Sequence, residues 1–323
     1  MSARLTQDIL RGNHRAMARA ISLIENESSD ALPLLKQLYP HTGRAYRIGV
    51  TGPPGAGKST LTSKLAKFYR NRNLRVGIIA VDPTSPFTGG ALLGDRVRMT
   101  DVELDAGVFI RSMASRGSLG GLSKKAKESA DILDAAGFDM ILLETVGVGQ
   151  SELDIARAAD TTVVVLVPES GDGIQAMKAG LMEIADFFVL NKADRPGADQ
   201  AVMSIKMILG FRAPHPGEST TEWIPDVIKT VASTGDGIDK VAEMIQRHKS
   251  MLESNSGLEK KRKQRLANTI RDIVEERLQI DFWNAERRAA LEHATESVFA
   301  RSMSPYDVAE QLLKNFRANT EKR

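Results

Sequence analysis

The fold of this chain is decided by the stretch Gly52-Pro53-Pro54-Gly55-Ala56-Gly57-Lys58-Ser59, which matches the pattern GxxxxGK[ST] at every position. A β-rich apolar run, 47–51, precedes it, and a helical pattern, 58–69, follows it. The glycines let consecutive backbone N–H groups curl around phosphate oxygens, and the N-terminus of the following helix adds its dipole. We therefore predict a phosphate-binding loop (P-loop) in which Lys58 supplies the positive charge and Thr60 reaches the α phosphate.

Short apolar runs and helical patterns alternate on both sides of this loop. Further β-rich runs lie at 76–81, 108–111, 140–143, 161–167 and 187–190. Repeated alternation of strands and helices is typical of a mostly parallel sheet that helices cover on both faces. The predicted fold class is therefore α/β, a P-loop NTPase with flanking helices.

Three parts of the chain can be distinguished by composition. We expect an N-terminal helical segment at 1–44, a nucleotide-binding domain at 45–252 and a C-terminal helical arm at 258–323, after a linker around 254–257. The first arm helix carries an apolar stripe made of Leu266, Ile270, Ile273, Val274 and Leu278. Such a stripe is expected to pack on the sheet domain or on another copy of the chain.

A second motif, Asn191-Lys192-Ala193-Asp194, follows the predicted strand 187–190. A carboxylate only accepts hydrogen bonds, so Asp194 can take them from the N1–H and the 2-amino group of guanine, whereas adenine offers neither donor. Lys192 is expected along the base plane, and Asn191 is expected to tie this loop to the P-loop. The backbone of Val231-Ala232-Ser233 is a candidate to close over the guanine O6. These residues predict GTP and GDP as ligands.

Carboxylates and a hydroxyl predict the Mg²⁺ side of the site. Ser59 stands at the position of the P-loop whose hydroxyl ligates the metal ion. Glu144 follows the predicted strand 140–143, and Asp82 follows the predicted strand 76–81. Asp95 lies in a glycine-rich stretch, where a helix N-cap is the alternative interpretation. Lys58, Asp82 and Glu144 are the predicted catalytic residues.

Gly147 is expected to bond the γ phosphate through its backbone N–H. No Gln follows it directly, where a residue that positions the attacking water commonly stands. We therefore expect slow intrinsic hydrolysis unless another protein, or a second copy of this chain, completes the site.

The composition narrows the class of protein. The 323 residues include no cysteine, which excludes disulfides, thiolate catalysis and metal sites with Cys ligands. The net charge of +3 comes from numerous, interspersed charges and does not argue for nucleic acid or an anionic membrane as a partner. The N-terminal residues carry no apolar signal core, so a cytoplasmic protein is expected.

Taken together, these motifs resemble the MeaB/ArgK family, the GTPase chaperones of cobalamin-dependent acyl-CoA mutases. The matching stretches are VTGPPGAGKST at 50–60, VDPTSP at 81–86, GGALLGDRVRM at 89–99, ETVGVGQSE at 144–152 and GLMEIAD at 180–186. The Glu144 stretch is the most telling, because most GTPases have Asp at that position. The resemblance covers the whole middle part of the chain and extends more loosely to both helical ends.

The resemblance implies a fold, a set of site residues and a role. It implies that Asp82, Asp95 and Glu144 lie on the Mg²⁺ side, that the C-terminal arm forms a homodimer, and that 169–178 is similar to the family's extra switch. Gly173 and Ile174 depart from the family's pattern there, which leaves open which mutase is served. The implied role is to gate adenosylcobalamin loading onto, and protection or reactivation of, a mutase such as methylmalonyl-CoA mutase.

Three other functions fit parts of the sequence. A nickel-type metallochaperone GTPase shares the fold class, but the five histidines form no ligand-like cluster and Cys is absent. A transport-associated ATPase of the LAO/AO type is opposed by Asp194. A GTPase switch for an unrelated effector remains an alternative.

Overall fold

The computed structural model describes residues 2–82, 99, 101–114, 124–145, 151–170, 179–210 and 223–320. The chain falls into two compact units, Met1–Lys260 and Lys261–Arg323. Within the described ranges, no helix combines the length and the apolar character that crossing a bilayer requires.

The described part of the first unit is built on one seven-stranded sheet whose neighbouring strands are all parallel. The strands are β1 (Tyr46–Thr51), β2 (Val76–Asp82), β3 (Val108–Ala114), β4 (Met140–Glu144), β5 (Thr161–Leu166), β6 (Phe187–Leu190) and β7 (Val227–Lys229). Their order is β3-β2-β4-β1-β5-β6-β7. The α/β architecture predicted from the sequence is confirmed, and each predicted strand is present with small shifts at its ends. The largest shift extends β3 to Ala114, because it pairs with β2 along its whole length.

Helices cover both faces of this sheet. They are α1 (Ser2–Leu10), α2 (His14–Glu25), α3 (Ala31–Leu38), α4 (Lys58–Arg70), α5 (Lys124–Ala135), α6 (Ser151–Ala158), α7 (Ala179–Ile184), α8 (Ala198–Gly210) and α9 (Ile238–Ser254). One face packs against α4 and α9, with Ile48, Val50, Leu61 and Val241 fully buried among them. The opposite face packs against α1–α3, α5 and α6 on one side and α7 and α8 on the other. Strands buried on both faces explain the near-continuous apolar runs in the sequence.

The three N-terminal helices share a hydrophobic core with the sheet. Met17 and Ile21 of α2 are buried with Ile141 and Leu143 of β4 in one cluster. Ion pairs add to this packing: Arg111 of β3 contacts Glu25, and Lys125 of α5 contacts Glu27 at 2.8 Å. The first 44 residues are therefore part of the first compact unit.

The second unit is helical. Its helices are the larger part of α10 (Gly257–Phe282), α11 (Ala285–Phe299) and α12 (Pro305–Thr320). α12 begins with reciprocal capping bonds: Ser304 Oγ accepts from Asp307 N–H at 3.1 Å, and the Asp307 carboxylate accepts from Ser304 N–H at 3.2 Å. Asn284 is the N-cap of α11, and its side chain accepts from Arg287 N–H at 2.8 Å.

The apolar stripe of α10 stays accessible. No residue of α10 is buried, and Leu266, Ile270, Ile273, Val274 and Leu278 are between 42% and 62% exposed. Only two residues separate the end of α9 from the start of α10, and Leu258 in the first turn of α10 packs on the core of the first unit.

Candidate functional site

The predicted P-loop connects the carboxyl end of β1 to the N-terminus of α4. Later strands flank β1 on both sides, β4 on one and β5 on the other, so the loop lies where the strand order reverses. In open α/β sheets, ligands bind in the crevice at such a point. The position of the loop in the sheet therefore agrees with the phosphate-binding role predicted from its sequence.

Two glycines of this loop are required by its geometry. Gly52 has φ 135°, and a Cβ added there would lie 2.1 Å from the backbone oxygen of Val165. Gly57, the N-cap of α4, has φ 88°, and its Cβ would lie 2.3 Å from the side-chain nitrogen of Asn191. A side chain at either position would combine an unfavourable backbone conformation with a steric clash.

Lys58 is the first residue of α4, and its ammonium group bends back over the loop. Lys58 Nζ donates to the backbone oxygens of Gly52 at 2.9 Å and Pro53 at 3.0 Å. The helix begins directly after Gly57, the last glycine of the loop, so the positive end of its macrodipole adjoins the loop. A cation and a helix N-terminus together form a site for a polyphosphate.

Glu144 and Ser59 meet behind the loop. Ser59 Oγ donates to Glu144 Oε1 at 2.6 Å, and both residues are buried. The pairing of β1 with β4 brings Glu144 level with Val50, two residues before the P-loop begins at Gly52. A hydroxyl and a carboxylate are hard oxygen donors of the kind that Mg²⁺ prefers, so this pair fits that ion.

Two further residues, Asp82 and Asp95, were predicted on the Mg²⁺ side of the site, and Gly147 was predicted at the γ phosphate. Asp82 is the last residue of β2 and lies two positions beyond Ala80, the partner of Glu144, so its backbone is at the same edge of the sheet. Asp95 and Gly147 lie outside the described residues.

Asn191 joins its own loop to two others. Its link to the P-loop was predicted from the sequence. Its side-chain nitrogen donates to the backbone oxygen of Ala56 at 2.8 Å. Its side-chain oxygen accepts from Ala232 N–H at 2.9 Å and from the Thr230 hydroxyl at 3.1 Å. Asn191 is 3% exposed, so these bonds are shielded from water. These bonds link the turn after β6 both to the P-loop and to the segment that follows β7.

The rest of the predicted base-binding segment forms a turn after β6. Lys192 has φ 56°, and its ammonium donates to the backbone oxygen of Gly55 at 2.8 Å, which adds a second link to the P-loop. Asp194 is exposed on this turn. Val231 pairs with Asp236 in an isolated bridge, Ala232 is buried beside Asn191, and Ser233 is exposed. The structure thus brings the base motif and the Val231–Ser233 backbone to one place.

Several contacts at this edge were not predicted. Thr145 Oγ1 donates to Thr51 Oγ1 at 2.9 Å, Thr230 supports Asn191, and Arg195 pairs with Glu169. The hydrogen bond from Arg195 lowers the pKa of the Glu169 carboxyl. Each contact joins residues far apart in sequence, and a motif on one partner does not indicate which distant residue it meets, so the sequence did not predict these pairs.

Comparison with known proteins adds independent support. Residues 17–287 match the family model described as "Methylmalonyl Co-A mutase-associated GTPase MeaB". A protein of Pyrococcus abyssi that is named as a candidate GTPase is 47% identical over 310 residues, covering 96% of this chain and 95% of its own. The mouse protein named "Methylmalonic aciduria type A homolog, mitochondrial" is 29% identical over 337 residues, covering 98% of this chain and 79% of its own.

A solved structure is similar over nearly the whole chain. The crystal structure of a protein named "LAO/AO transport system kinase" has a TM-score of 0.73 and 29% identity, and the match covers 98% of this chain and 97% of that one. The family match spans most of the chain and includes the P-loop, Glu144 and the Asn191–Asp194 motif. The chain therefore belongs to the MeaB family and is a P-loop GTPase.

Proposed function

We propose that this GTPase gates the loading of adenosylcobalamin onto a cobalamin-dependent acyl-CoA mutase, such as methylmalonyl-CoA mutase, and protects or reactivates that enzyme. The observation that carries the proposal is the family match over residues 17–287, whose description names the mutase association. The mouse relative carries methylmalonic aciduria in its name, which supports the same class of client.

Guanine recognition is assigned to the turn after β6. Asp194 accepts from N1–H and the 2-amino group, and its exposed position lets a base reach it. Lys192 lies along the base plane, and the backbone of Val231, Ala232 and Ser233 faces O6. The Asn191 bonds to Ala56 and Ala232 support this assignment, because they hold the base-binding segments against the P-loop.

Magnesium is assigned to the side of the P-loop that faces β4 and β2. Ser59 would ligate the ion, and Glu144, Asp82 and Asp95 would hold it directly or through its water shell. The buried Ser59–Glu144 contact supports this assignment. When bound, the ion neutralises charge that develops on the β and γ phosphates during hydrolysis. Lys58 supplies the second positive charge at the same phosphates.

Hydrolysis by the isolated chain is proposed to be slow. Gly147 senses the γ phosphate through its N–H, but the position after it is Val148 rather than a water-positioning Gln. A mutase, or a second copy of the chain, would complete the site. Single-turnover rates with and without a mutase test this, and a fast rate for the isolated chain would contradict it.

A homodimer through the C-terminal helices is part of the same proposal. The exposed apolar stripe of α10 supports it, because five large apolar side chains on one helix are unusual on a surface that meets only water. Sedimentation of the wild-type chain and of an I270E variant tests the dimer. A wild-type monomer at micromolar concentration would contradict it.

Two other candidate functions remain. A transport-associated ATPase is favoured only by the name of the protein in the similar crystal structure. A comparison of GTP and ATP affinities separates it, because Asp194 rejects adenine. A GTPase switch for an unrelated effector makes the same nucleotide prediction and is separated by an assay of cofactor transfer to a mutase.

The decisive experiment measures transfer of adenosylcobalamin to a purified mutase in the presence of this protein with GTP, GDP or a non-hydrolysable GTP analogue. We expect transfer to depend on which nucleotide is bound. Tests on methylmalonyl-, isobutyryl-, ethylmalonyl- and hydroxyisobutyryl-CoA mutases cover the proposed clients. If cofactor transfer does not depend on the bound nucleotide with any of these mutases, the chaperone role is overturned, whereas the GTPase activity is unaffected.

A further inference from the structure

Two buried threonines lie side by side beneath the phosphate site. Thr51 is the last residue of β1, immediately before Gly52 of the P-loop, and Thr145 immediately follows Glu144, the last residue of β4. Thr145 Oγ1 donates to Thr51 Oγ1 at 2.9 Å. Thr51 is 0% and Thr145 2% exposed, so this bond is formed out of contact with water. We call these residues the threonine pair.

The threonine pair continues the β1–β4 pairing past the last residues in register. Those residues are Val50 and Glu144, and Thr145 N–H donates to the backbone oxygen of Val50 at 3.1 Å. The backbone bond fixes the height of Thr145 along the sheet, and the hydroxyl bond fixes its side chain against the root of the P-loop. Glu144 is therefore anchored on its C-terminal side by Thr145 and through its carboxylate by Ser59.

Packing alone does not call for two hydroxyls here. A hydrogen bond between buried hydroxyls contributes only about 1 kcal/mol net, since both groups leave water to form it. Two valines would fill nearly the same volume, and replacing both partners of such a bond by apolar groups is often close to neutral for stability. What the hydroxyls add is direction: they allow one relative position of the two strand ends, where valines allow several.

We propose that the threonine pair is a positioning device that sets the Glu144 carboxylate against Ser59 and thereby tunes the affinity of the phosphate site for Mg²⁺. This inference rests on the proposed role of Ser59 and Glu144 at the ion. Mg²⁺ accepts little departure from octahedral geometry, so a small displacement of one oxygen weakens binding. Thr51 and Thr145 are positioning residues, because they act through Glu144 and the P-loop.

The test measures binding of a fluorescent GDP analogue during a Mg²⁺ titration and, separately, in excess EDTA. We expect T145V to raise the half-saturating Mg²⁺ concentration about tenfold, the usual scale for losing a residue that orients a metal ligand. The affinity for the analogue in EDTA stays at the wild-type value, because the P-loop and the base motif are untouched. T145S, which keeps the hydroxyl, restores the Mg²⁺ dependence.

A double-mutant cycle tests whether the two hydroxyls act as one unit. T51V alone and the T51V/T145V double variant are expected to match T145V, since each removes the same bond. T62V is the matched control: Thr62 is fully buried in α4, and its hydroxyl has no hydrogen-bond partner within the described part of the chain. Additive effects of T51V and T145V, or an equal shift in T62V, would overturn the proposal.

The E144Q variant separates this inference from the proposal it rests on. If E144Q leaves the Mg²⁺ dependence unchanged, the ion is not held by Glu144 and that proposal fails. If E144Q shifts the dependence but T145V does not, the threonine pair has no positioning role. Thermal unfolding of each variant is measured alongside. Where a valine variant does not fold, the alanine variant, T51A or T145A, which also lacks the hydroxyl, takes its place with the same expected shift.

Discussion

The two edges of the central sheet both carry buried polar side chains, but they use them differently. We call the side of the sheet where the parallel strands end the carboxyl edge, and the side where they begin the amino edge. At the carboxyl edge, Asn191 hydrogen-bonds to two other loops, and Lys58 donates to backbone oxygens of the P-loop. At the amino edge, a carboxylate meets backbone N–H groups: Asp134 accepts from Gly43, Arg44 and Ala45 at 2.8–3.0 Å.

Charge is handled differently at the two edges as well. Arg47 at the amino edge contacts Asp131 at 2.6 Å and Asp134 at 3.4 Å. Burial alone would lower the pKa of Arg47, but the neighbouring carboxylates raise it instead. The amino edge thus neutralises its charges internally, whereas at the carboxyl edge Lys58 and the exposed Asp194 are the charged groups that we propose meet the nucleotide. Buried polar side chains at the amino edge satisfy groups of the protein itself, and those at the carboxyl edge are proposed to serve nucleotide binding.

The sharpest test of this comparison is K58A. We expect GTP hydrolysis to fall about 10³-fold, because a preorganised charge at the reacting phosphates is lost, while the unfolding temperature hardly changes. K64A is the control, since Lys64 lies on the same helix but pairs with Asp101 at the surface. Single-turnover hydrolysis and thermal unfolding measure both properties. If K58A hydrolyses GTP at the wild-type rate, Lys58 does not act on the nucleotide, and the proposed binding role of the carboxyl edge is contradicted.

D134A should show the opposite behaviour. Removing this carboxylate leaves three backbone N–H groups and part of the charge of Arg47 without their acceptor, so we expect the free energy of unfolding to fall by about 3 kcal/mol. Hydrolysis measured well below the unfolding transition should match the wild type. Urea unfolding of D134A and of D131A, whose carboxylate is partly exposed, checks this. A hydrolysis defect as large as that of K58A would show that the amino edge also acts on the nucleotide.

D194N should change specificity rather than stability. We expect the affinity for GTP to fall about 100-fold, the scale for losing a charged hydrogen-bond acceptor. An Asn amide can donate to the 2-carbonyl of xanthine, so xanthosine triphosphate should bind the variant better than the wild type does. D199N is the control, because Asp199 is an exposed acid that pairs with Lys229. Competition binding with both nucleotides measures the change; unchanged preference would place base recognition elsewhere.

The smallest expected effect is a pH dependence at the amino edge. Burial, and then Arg75, lower the pKa of His14, whose ring packs edge-on against Phe109. The folded state therefore favours the neutral ring, and the unfolded chain binds more protons near the ordinary histidine pKa of about 6.5. Stability present above that pH is lost as the pH falls through it.

The variant H14Q should flatten this part of the stability profile. H41Q should not, because His41 is exposed. Chemical unfolding at a series of pH values between about 7 and 5 measures the slope, on which one histidine has only a modest effect. Equal profiles for H14Q and the wild type would show that His14 is not an acid-sensitive contact.

Much of the fold and of the carboxyl edge could be predicted because their signals are local. The P-loop, the strand that ends in Glu144 and the Asn191–Asp194 turn are each contiguous, and parallel strands end at one edge by necessity. The Asn191 link to the P-loop and the convergence of Glu144 on the P-loop followed from these two facts and are present.

The contacts that could not be predicted depend on strand order. Thr51 and Thr145 are 94 residues apart, and Asp134 reaches Ala45 across 89 residues. They meet because β4, rather than β2, lies next to β1. A single threonine or aspartate carries no pattern, so nothing in the sequence pointed to these pairs. Lys192 illustrates the limit within a motif: its bond to Gly55 is set by the αL backbone at that residue, which the sequence did not indicate.

The link that Asn191 makes between the base turn and the P-loop also bears on how fast a bound nucleotide leaves. A nucleotide gripped at both ends by segments that are bonded to each other dissociates only when one segment moves away. We therefore expect GDP to leave slowly on its own, and we expect a partner that accelerates exchange to separate Asn191 from Ala56. We expect N191A to shorten the residence time of GDP in the absence of any partner.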